Sequence, residues 1–109
     1  MPNTGLGSLE LAVLVAVARL GEGEAYGLGV RREVSETRDH DYSVGAIYTT
    51  LSRLEEKGLV ESWTTEPRPE RGGRSRREYR VTGAGRASLR ESAEIAARLW
   101  GLDAGLDPA

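Results

Sequence analysis

"SVGAIYTTLSRLEEKGLVESW", residues 43–63, changes its hydrophobic period part-way along, and that change decides the fold. Ser43 is a residue type that caps helix N-termini, and Gly58 suits the C′ position where helices end. Between them Val44, Ile47, Leu51 and Leu54 recur at three- and four-residue spacing, which places them on one buried stripe of a helix. After Gly58 the β-branched and aromatic residues of "LVESWTT" read as a strand. "EPRPERGGR" is a turn-rich connection with two prolines and a Gly-Gly pair, and "REYRVT" is the returning strand, with Tyr79 and Val81 on one face. The pair makes a β-hairpin with a long tip.

Working outward, Ser8 to Leu20 reads as a helix with Ser8 as its N-cap and Gly21 and Gly23 as its stop. Leu9, Ala12, Val13, Ala16, Val17 and Leu20 form one stripe, and Leu11, Leu14 and Val15 add apolar surface on other sides. A helix apolar nearly all round must be covered nearly all round, which in a small domain points to a second chain. Tyr26 to Glu36 reads as a second helix, weakened by two glycines, with Leu28, Val30 and Val34 as its apolar edge. "TRDHDY" is a polar loop. Beyond the hairpin, Thr82 caps a last helix from Gly83 to Trp100, and "GLDAGLDPA" reads as a fraying tail. The fold expected is mainly α: a winged helix-turn-helix of three helices and a two-stranded β wing, plus a C-terminal dimerisation helix. The division expected is residues 1–82 for the winged domain and 83–109 for the dimerisation helix and tail.

A chain of 109 residues suits one domain with a modest core, and the absence of cysteine excludes disulfides, thiolate metal sites and a cysteine nucleophile. The start, "MPNTGLGS", lacks the basic region of a secretory signal, and no apolar run is long enough to span a bilayer, so a cytoplasmic protein without membrane contact is expected. The formal net charge is −2, yet residues 68–80, "RPERGGRSRREYR", carry six arginines against two glutamates. Duplex DNA carries one negative charge per ~1.7 Å of its axis, so such a protrusion would gain from releasing counterions. Arginine's planar fork also pairs with phosphate in bidentate fashion. Arg71, Arg74, Arg76 and Arg77 are the wing candidates, with Gly72 and Gly73 allowing a tight tip and close backbone approach. A solvated loop with surface ion pairs is the plainer explanation, but such pairs contribute little and do not account for the concentration.

The third helix adds a second feature. Opposite its buried stripe lie Gly45, Thr49, Ser52, Arg53 and Glu56, with Ala46 at the edge. Small polar residues let a helix backbone approach a groove floor, and Thr, Ser and Arg side chains reach bases or phosphates. Tyr48 borders the two faces, where its ring can pack while its hydroxyl reaches a phosphate. With Ser43, these make up the expected DNA-binding set on the helix. His40 is the single histidine, and "DHD" at 39–41 is three adjacent loop residues, a poor closed metal site. "GLGVRR" follows no strand and so is no dinucleotide fingerprint. Neither an enzyme nor a metal or cofactor is expected. The alternative from another class is a winged helix that binds a protein partner or RNA.

"AYG" at 25–27, "GAIYTTLSRLEEKGLV" at 45–60 and "RGGRSRREYRVTGAGR" at 71–86 together resemble the PadR family of bacterial transcriptional regulators, over about residues 6 to 90. Thr49 departs from that pattern, since many relatives carry proline there. The resemblance implies a homodimer that binds a pseudo-palindromic operator in double-stranded DNA, usually as a repressor, and a C-terminal helix used for dimerisation. The chain stops soon after that helix, like short-form members with one such helix; some members respond to small aromatic or drug-like effectors. The residue pattern agrees on the dimer: Leu89, Ala93, Ala96 and Trp100 form one stripe of the last helix, widened by Ile95 and Leu99, to be matched with Leu9 and Val13 of the first. Trp100 is the residue expected to line an effector pocket between subunits.

Overall fold

Residues 6–67 and 75–101 are described by the computed structural model, and their elements run α1 (Ser8–Leu20), α2 (Gly27–Arg38), α3 (Val44–Glu56), β1 (Val60–Thr64), β2 (Arg77–Val81) and α4 (Gly83–Trp100). The two strands pair antiparallel, Val60 opposite Val81 and Thr64 opposite Arg77. The stretch before α2 joins them as a third, minimal strand: the Tyr79 N–H donates to the Ala25 carbonyl at 2.8 Å, and Tyr26 bridges Glu78. This is the mainly helical winged helix-turn-helix expected from the order of elements. The tail beyond Gly101 lies outside the described residues.

One core holds the elements together. Val13, Leu14, Ala16 and Val17 of α1 meet Val30 and Val34 of α2, Ile47, Leu51 and Leu54 of α3, and Leu59, Val60, Tyr79 and Val81 of the hairpin. Caps set the ends. The Ser43 hydroxyl accepts from the Ala46 N–H at 3.1 Å, as its position before α3 predicts. Gly58 follows α3 with φ +75°, the left-handed conformation that favours glycine.

The junction between hairpin and α4 shows why the chain packs so closely there. The Thr82 hydroxyl accepts from the Gly85 N–H at 3.1 Å, capping α4, and donates to the Gly58 carbonyl at 2.6 Å. The Thr82 N–H donates to the Leu59 carbonyl at 3.0 Å. One threonine thus ties the start of α4 to the end of α3. Gly85 is buried against this turn, where a Cβ would overlap the Leu59 carbonyl and stand 2.6 Å from Val81 Cγ1. Past this anchored first turn α4 runs outward, and Leu99 and Trp100 are 79% and 76% exposed.

Several sequence expectations need correction. Ser8 does not cap α1; it is the first helical residue, and Gly7 holds the N-cap position, its N–H donating to the Glu10 carboxylate at 3.1 Å. The α2 helix begins one residue later than expected and runs two further, to Arg38, with Asp39 as its C-cap in a left-handed conformation. Leu28 and Val44 are not core residues but 51% and 40% exposed, while Thr50 is buried and donates its hydroxyl to the Ala46 carbonyl at 2.8 Å. Val13, expected at a subunit contact, is fully enclosed by its own chain and has no surface to present, because the α1 stripe faces α2 and α3. Leu9 is only partly buried against that core.

The Gly85 contact yields a paired prediction. Gly85→Ala lowers stability by ~1–3 kcal/mol, the usual range for overpacking a tight contact. Gly83→Ala, where a Cβ meets nothing within 4 Å, shifts it by less than ~1 kcal/mol and toward greater stability. Thermal or urea denaturation of the two variants checks the contrast.

Candidate nucleic-acid interface

The face of α3 opposite the core is open to solvent. Gly45, Thr49, Ser52, Arg53 and Glu56 are exposed, and Ala46 is half-buried at the margin. No side-chain hydrogen bond within the described residues occupies Thr49 or Ser52, so their hydroxyls are available to an outside partner. Ser43 is exposed too, but its oxygen already serves the first turn. Tyr48 is 40% exposed and folds its ring back over α2: a Cβ on Gly27 would overlap the Tyr48 hydroxyl. Gly27 therefore permits the placement of that hydroxyl beside the first turn of α2, where backbone N–H groups leave positive potential.

Polar ties fix how this face is presented. Lys57, just past α3, donates to the Glu10 carboxylate of α1 at 3.0 Å. This hydrogen bond, with smaller help from the Gly7 N–H and the charges of Lys57 and Arg53, outweighs burial and holds the Glu10 carboxyl below its usual pKa. A second tie runs from α3 to the hairpin. Arg77 Nη1 donates to the Ser62 hydroxyl at 2.7 Å, and Ser62 donates to the Glu55 carboxylate at 2.8 Å. The wing is thereby referenced to the C-terminal half of α3. Sequence reasoning missed this relay, because Glu55 and Ser62 look like ordinary solvated residues. Burial beneath the relay raises the pKa of the Tyr79 hydroxyl.

The arginines of residues 68–80 divide into groups. Arg71 and Arg74, with Gly73, lie outside the described residues. Arg77 is exposed at the base of the wing and reaches Ser62. Arg80 pairs with Glu61 across the strands and lies 5.6 Å from the Trp63 ring centre. Arg76 is engaged within its own chain. Its Nε donates to Glu78 at 3.1 Å, its Nη2 to the Gly23 carbonyl at 2.6 Å, and its guanidinium lies 3.7 Å from the centre of the Tyr26 ring.

The turn between α2 and α3 is also pinned from inside. Arg31 donates to the Tyr42 carbonyl at 2.6 Å and to Asp41 at 2.9 Å, and the His40 ring lies against that of Tyr42, tilted by 57° with centres 4.4 Å apart. Among the described residues no group of three or more His, Cys, Asp or Glu is arranged to hold a metal ion. No helix among them is long and apolar enough to cross a membrane. Of the residues expected at a subunit contact, Leu89 is half-buried, while Ala93, Ala96 and Trp100 stand open along α4.

Comparison with known proteins agrees with this geometry. Residues 16–91 match the family described as Transcriptional regulator PadR-like family. Over 72 residues the chain is 44% identical to Transcriptional regulator Rv3488 of Mycobacterium tuberculosis, a match covering 64% of this chain and 61% of that protein. It thus spans about three fifths of the length of that curated relative. Among solved structures the fold is similar to H. salinarum RosR, with TM-score 0.68 and 27% identity over 91% of this chain and 81% of that one. A PadR-like transcription factor from Bacteroides fragilis aligns with TM-score 0.69 and 24% identity, covering 84% of this chain and 82% of that one. A PadR family transcription regulator from Clostridium difficile R20291 aligns with TM-score 0.68 and 23% identity, over 87% and 92% of the two chains. The last two show likeness of fold alone.

The Glu10–Lys57 pair carries a pH dependence. A carboxyl whose folded pKa is lowered contributes stability that is present above its unfolded pKa and is lost as pH falls through the folded value. Denaturation midpoints of the wild type therefore fall as pH drops below the ordinary glutamate range, and Glu10→Gln shows a shallower fall over the same window. Identical profiles for the two proteins would contradict the assignment.

Proposed function

The chain belongs to the PadR-like family of transcriptional regulators, and on that premise we propose that it represses transcription by binding a pseudo-palindromic DNA operator as a homodimer. The observation that carries this reading is the exposed face of α3, small and polar, held in a fixed orientation beside an arginine-rich wing. In the proposed complex α3 enters the major groove with Gly45, Ala46, Thr49, Ser52 and Arg53 nearest the bases. The small residues admit the helix backbone, and Thr49 and Arg53 offer a methyl, a hydroxyl and a guanidinium for base edges. Tyr48 and the wing arginines Arg71, Arg74 and Arg77 grip phosphates and set register without reading sequence.

A two-fold dimer built on the exposed stripe of α4 would present two copies of α3 about one DNA turn apart, ~34 Å. The open Leu99 and Trp100 supply apolar surface for that contact, with Leu89, Ala93 and Ala96 along the same helix and Leu9 on α1. A small aromatic effector bound between subunits near Trp100 would release the operator if it preferred a dimer whose reading heads are set at another angle. Localisation in the cytoplasm, beside the DNA, belongs to the same proposal.

Titration of a mixed-sequence duplex and a matched single strand across a salt series tests the reading. The duplex binds more tightly, and log affinity falls steeply with log salt, at roughly 0.9 per phosphate contacted. Arg74→Ala weakens all duplexes alike, whereas Thr49→Ala and Arg53→Ala change the preferred sequence, by ~1–3 kcal/mol at the affected base pair. Absent or salt-insensitive duplex binding would favour a protein-interaction module instead.

A further inference from the structure

Arg76 sits in the most basic part of the chain, yet its surroundings are those of a structural strut. We propose that Arg76 is a positioning residue that clamps the base of the wing to the turn between α1 and α2, and is not itself a phosphate contact. The proposal rests on the DNA-binding reading given above and assigns the wing's arginines two different tasks within it.

Three sides of the guanidinium are already in use. One face lies over Tyr26, the Nε edge meets Glu78, and Nη2 meets the carbonyl of Gly23, fifty-three residues away in sequence. The Arg76 side chain is only 28% exposed, and that of Glu78 is 9% exposed. Turning Arg76 toward a phosphate would break both hydrogen bonds and strip a nearly buried carboxylate of this cation. The backbone of Arg76 is held as well. Its carbonyl accepts from the Thr65 N–H at 2.8 Å and the Thr65 hydroxyl at 3.1 Å, and its N–H donates to that hydroxyl at 3.2 Å. These bonds continue the ladder beyond Thr64 and Arg77 toward the wing tip.

The position of the clamp explains its use. An isolated two-stranded hairpin is marginal in water and needs packing from elsewhere to hold one direction. β2 receives that support from the Ala25–Tyr26 stretch, through the Tyr79 N–H to the Ala25 carbonyl, and the Arg76 side chain extends the same attachment outward to Gly23. Tyr26 thus has two roles: it holds the N-cap position of α2 and provides the platform on which the wing rests. Phosphate contacts made farther out gain from a stalk that is already directed, because less conformational freedom is lost on binding.

The test combines binding with amide exchange in the full chain. Arg76→Gln, Arg76→Lys and Glu78→Gln are compared with wild type for duplex affinity across a salt series, for hydrogen exchange at the Thr65 and Tyr79 amides, and for melting temperature. The clamp predicts that all three variants weaken duplex binding about tenfold at one salt concentration, leave the slope of log affinity against log salt unchanged, and speed exchange at both amides. Arg74→Ala, in contrast, reduces the slope by about 0.9. Two results would overturn the proposal. One is a slope reduced by about 0.9 in Arg76→Gln, with full affinity retained in Arg76→Lys. The other is tighter binding by Glu78→Gln, as expected if removing an acid merely freed a phosphate-gripping arginine. Arg76→Lys keeps the charge beside Glu78, so it decides the matter by the same exchange readout if Arg76→Gln does not fold. If wild type itself fails to bind duplex, the DNA reading falls, while exchange at Thr65 and Tyr79 still decides whether the clamp exists.

Discussion

Burial of one face of α3 is the constraint on which everything else depends. Ile47, Leu51 and Leu54 are fully enclosed, so the helix cannot turn about its axis without exposing them. Truncating one such side chain to alanine in a core typically costs ~2–5 kcal/mol, a large part of the stability of a small domain. The outward residues follow from that burial: once the leucines and isoleucine face inward, Gly45, Thr49 and Ser52 must face out. Side-chain ties then fix the helix along its length. Ser43 caps the first turn, Glu55 reaches Ser62, Lys57 reaches Glu10, and Thr82 holds the Gly58 carbonyl. A surface held this way needs little reorganisation on meeting a partner.

Charge works on the same local scale. The chain as a whole is slightly acidic, with a formal net charge of −2. At physiological salt, charges more than about 8 Å apart on a surface are largely screened from one another, so a partner senses the patch it touches. The whole-chain charge is therefore a poor guide to what the arginine-rich residues 68–80 offer locally. The paired arginines within the cluster refine this picture. Arg80 answers Glu61 and Arg76 answers Glu78, so part of the positive charge is paired within the hairpin itself.

Much of the fold was legible in local chemistry. Ser43 and Thr82 cap helices where expected, Gly58 closes α3, and the change of period after it marks the hairpin. These signals act over a few residues and are therefore written in neighbouring letters. Errors arose where tertiary packing decided. Val44 and Leu28 are apolar and correctly spaced, but each lies at the first turn of its helix, beyond the reach of the core. Val13 belongs to a stripe that α2 and α3 already cover, so reasoning from the apolar girth of α1 overstated its free surface. In the candidate site, the outward face of α3 could be read from the helical wheel alone. The Arg76 clamp and the Arg77–Ser62–Glu55 relay could not, since they join residues far apart in sequence and no spacing rule links them.

Amide chemical-shift mapping of the folded protein during titration with a short duplex tests the central claim most directly. The account predicts that the largest shifts fall on Gly45, Ala46, Thr49, Ser52 and Arg53 and on the wing, with the enclosed residues of α1 nearly unmoved. Shifts centred on another face, with the outward side of α3 undisturbed at saturating duplex, would contradict it.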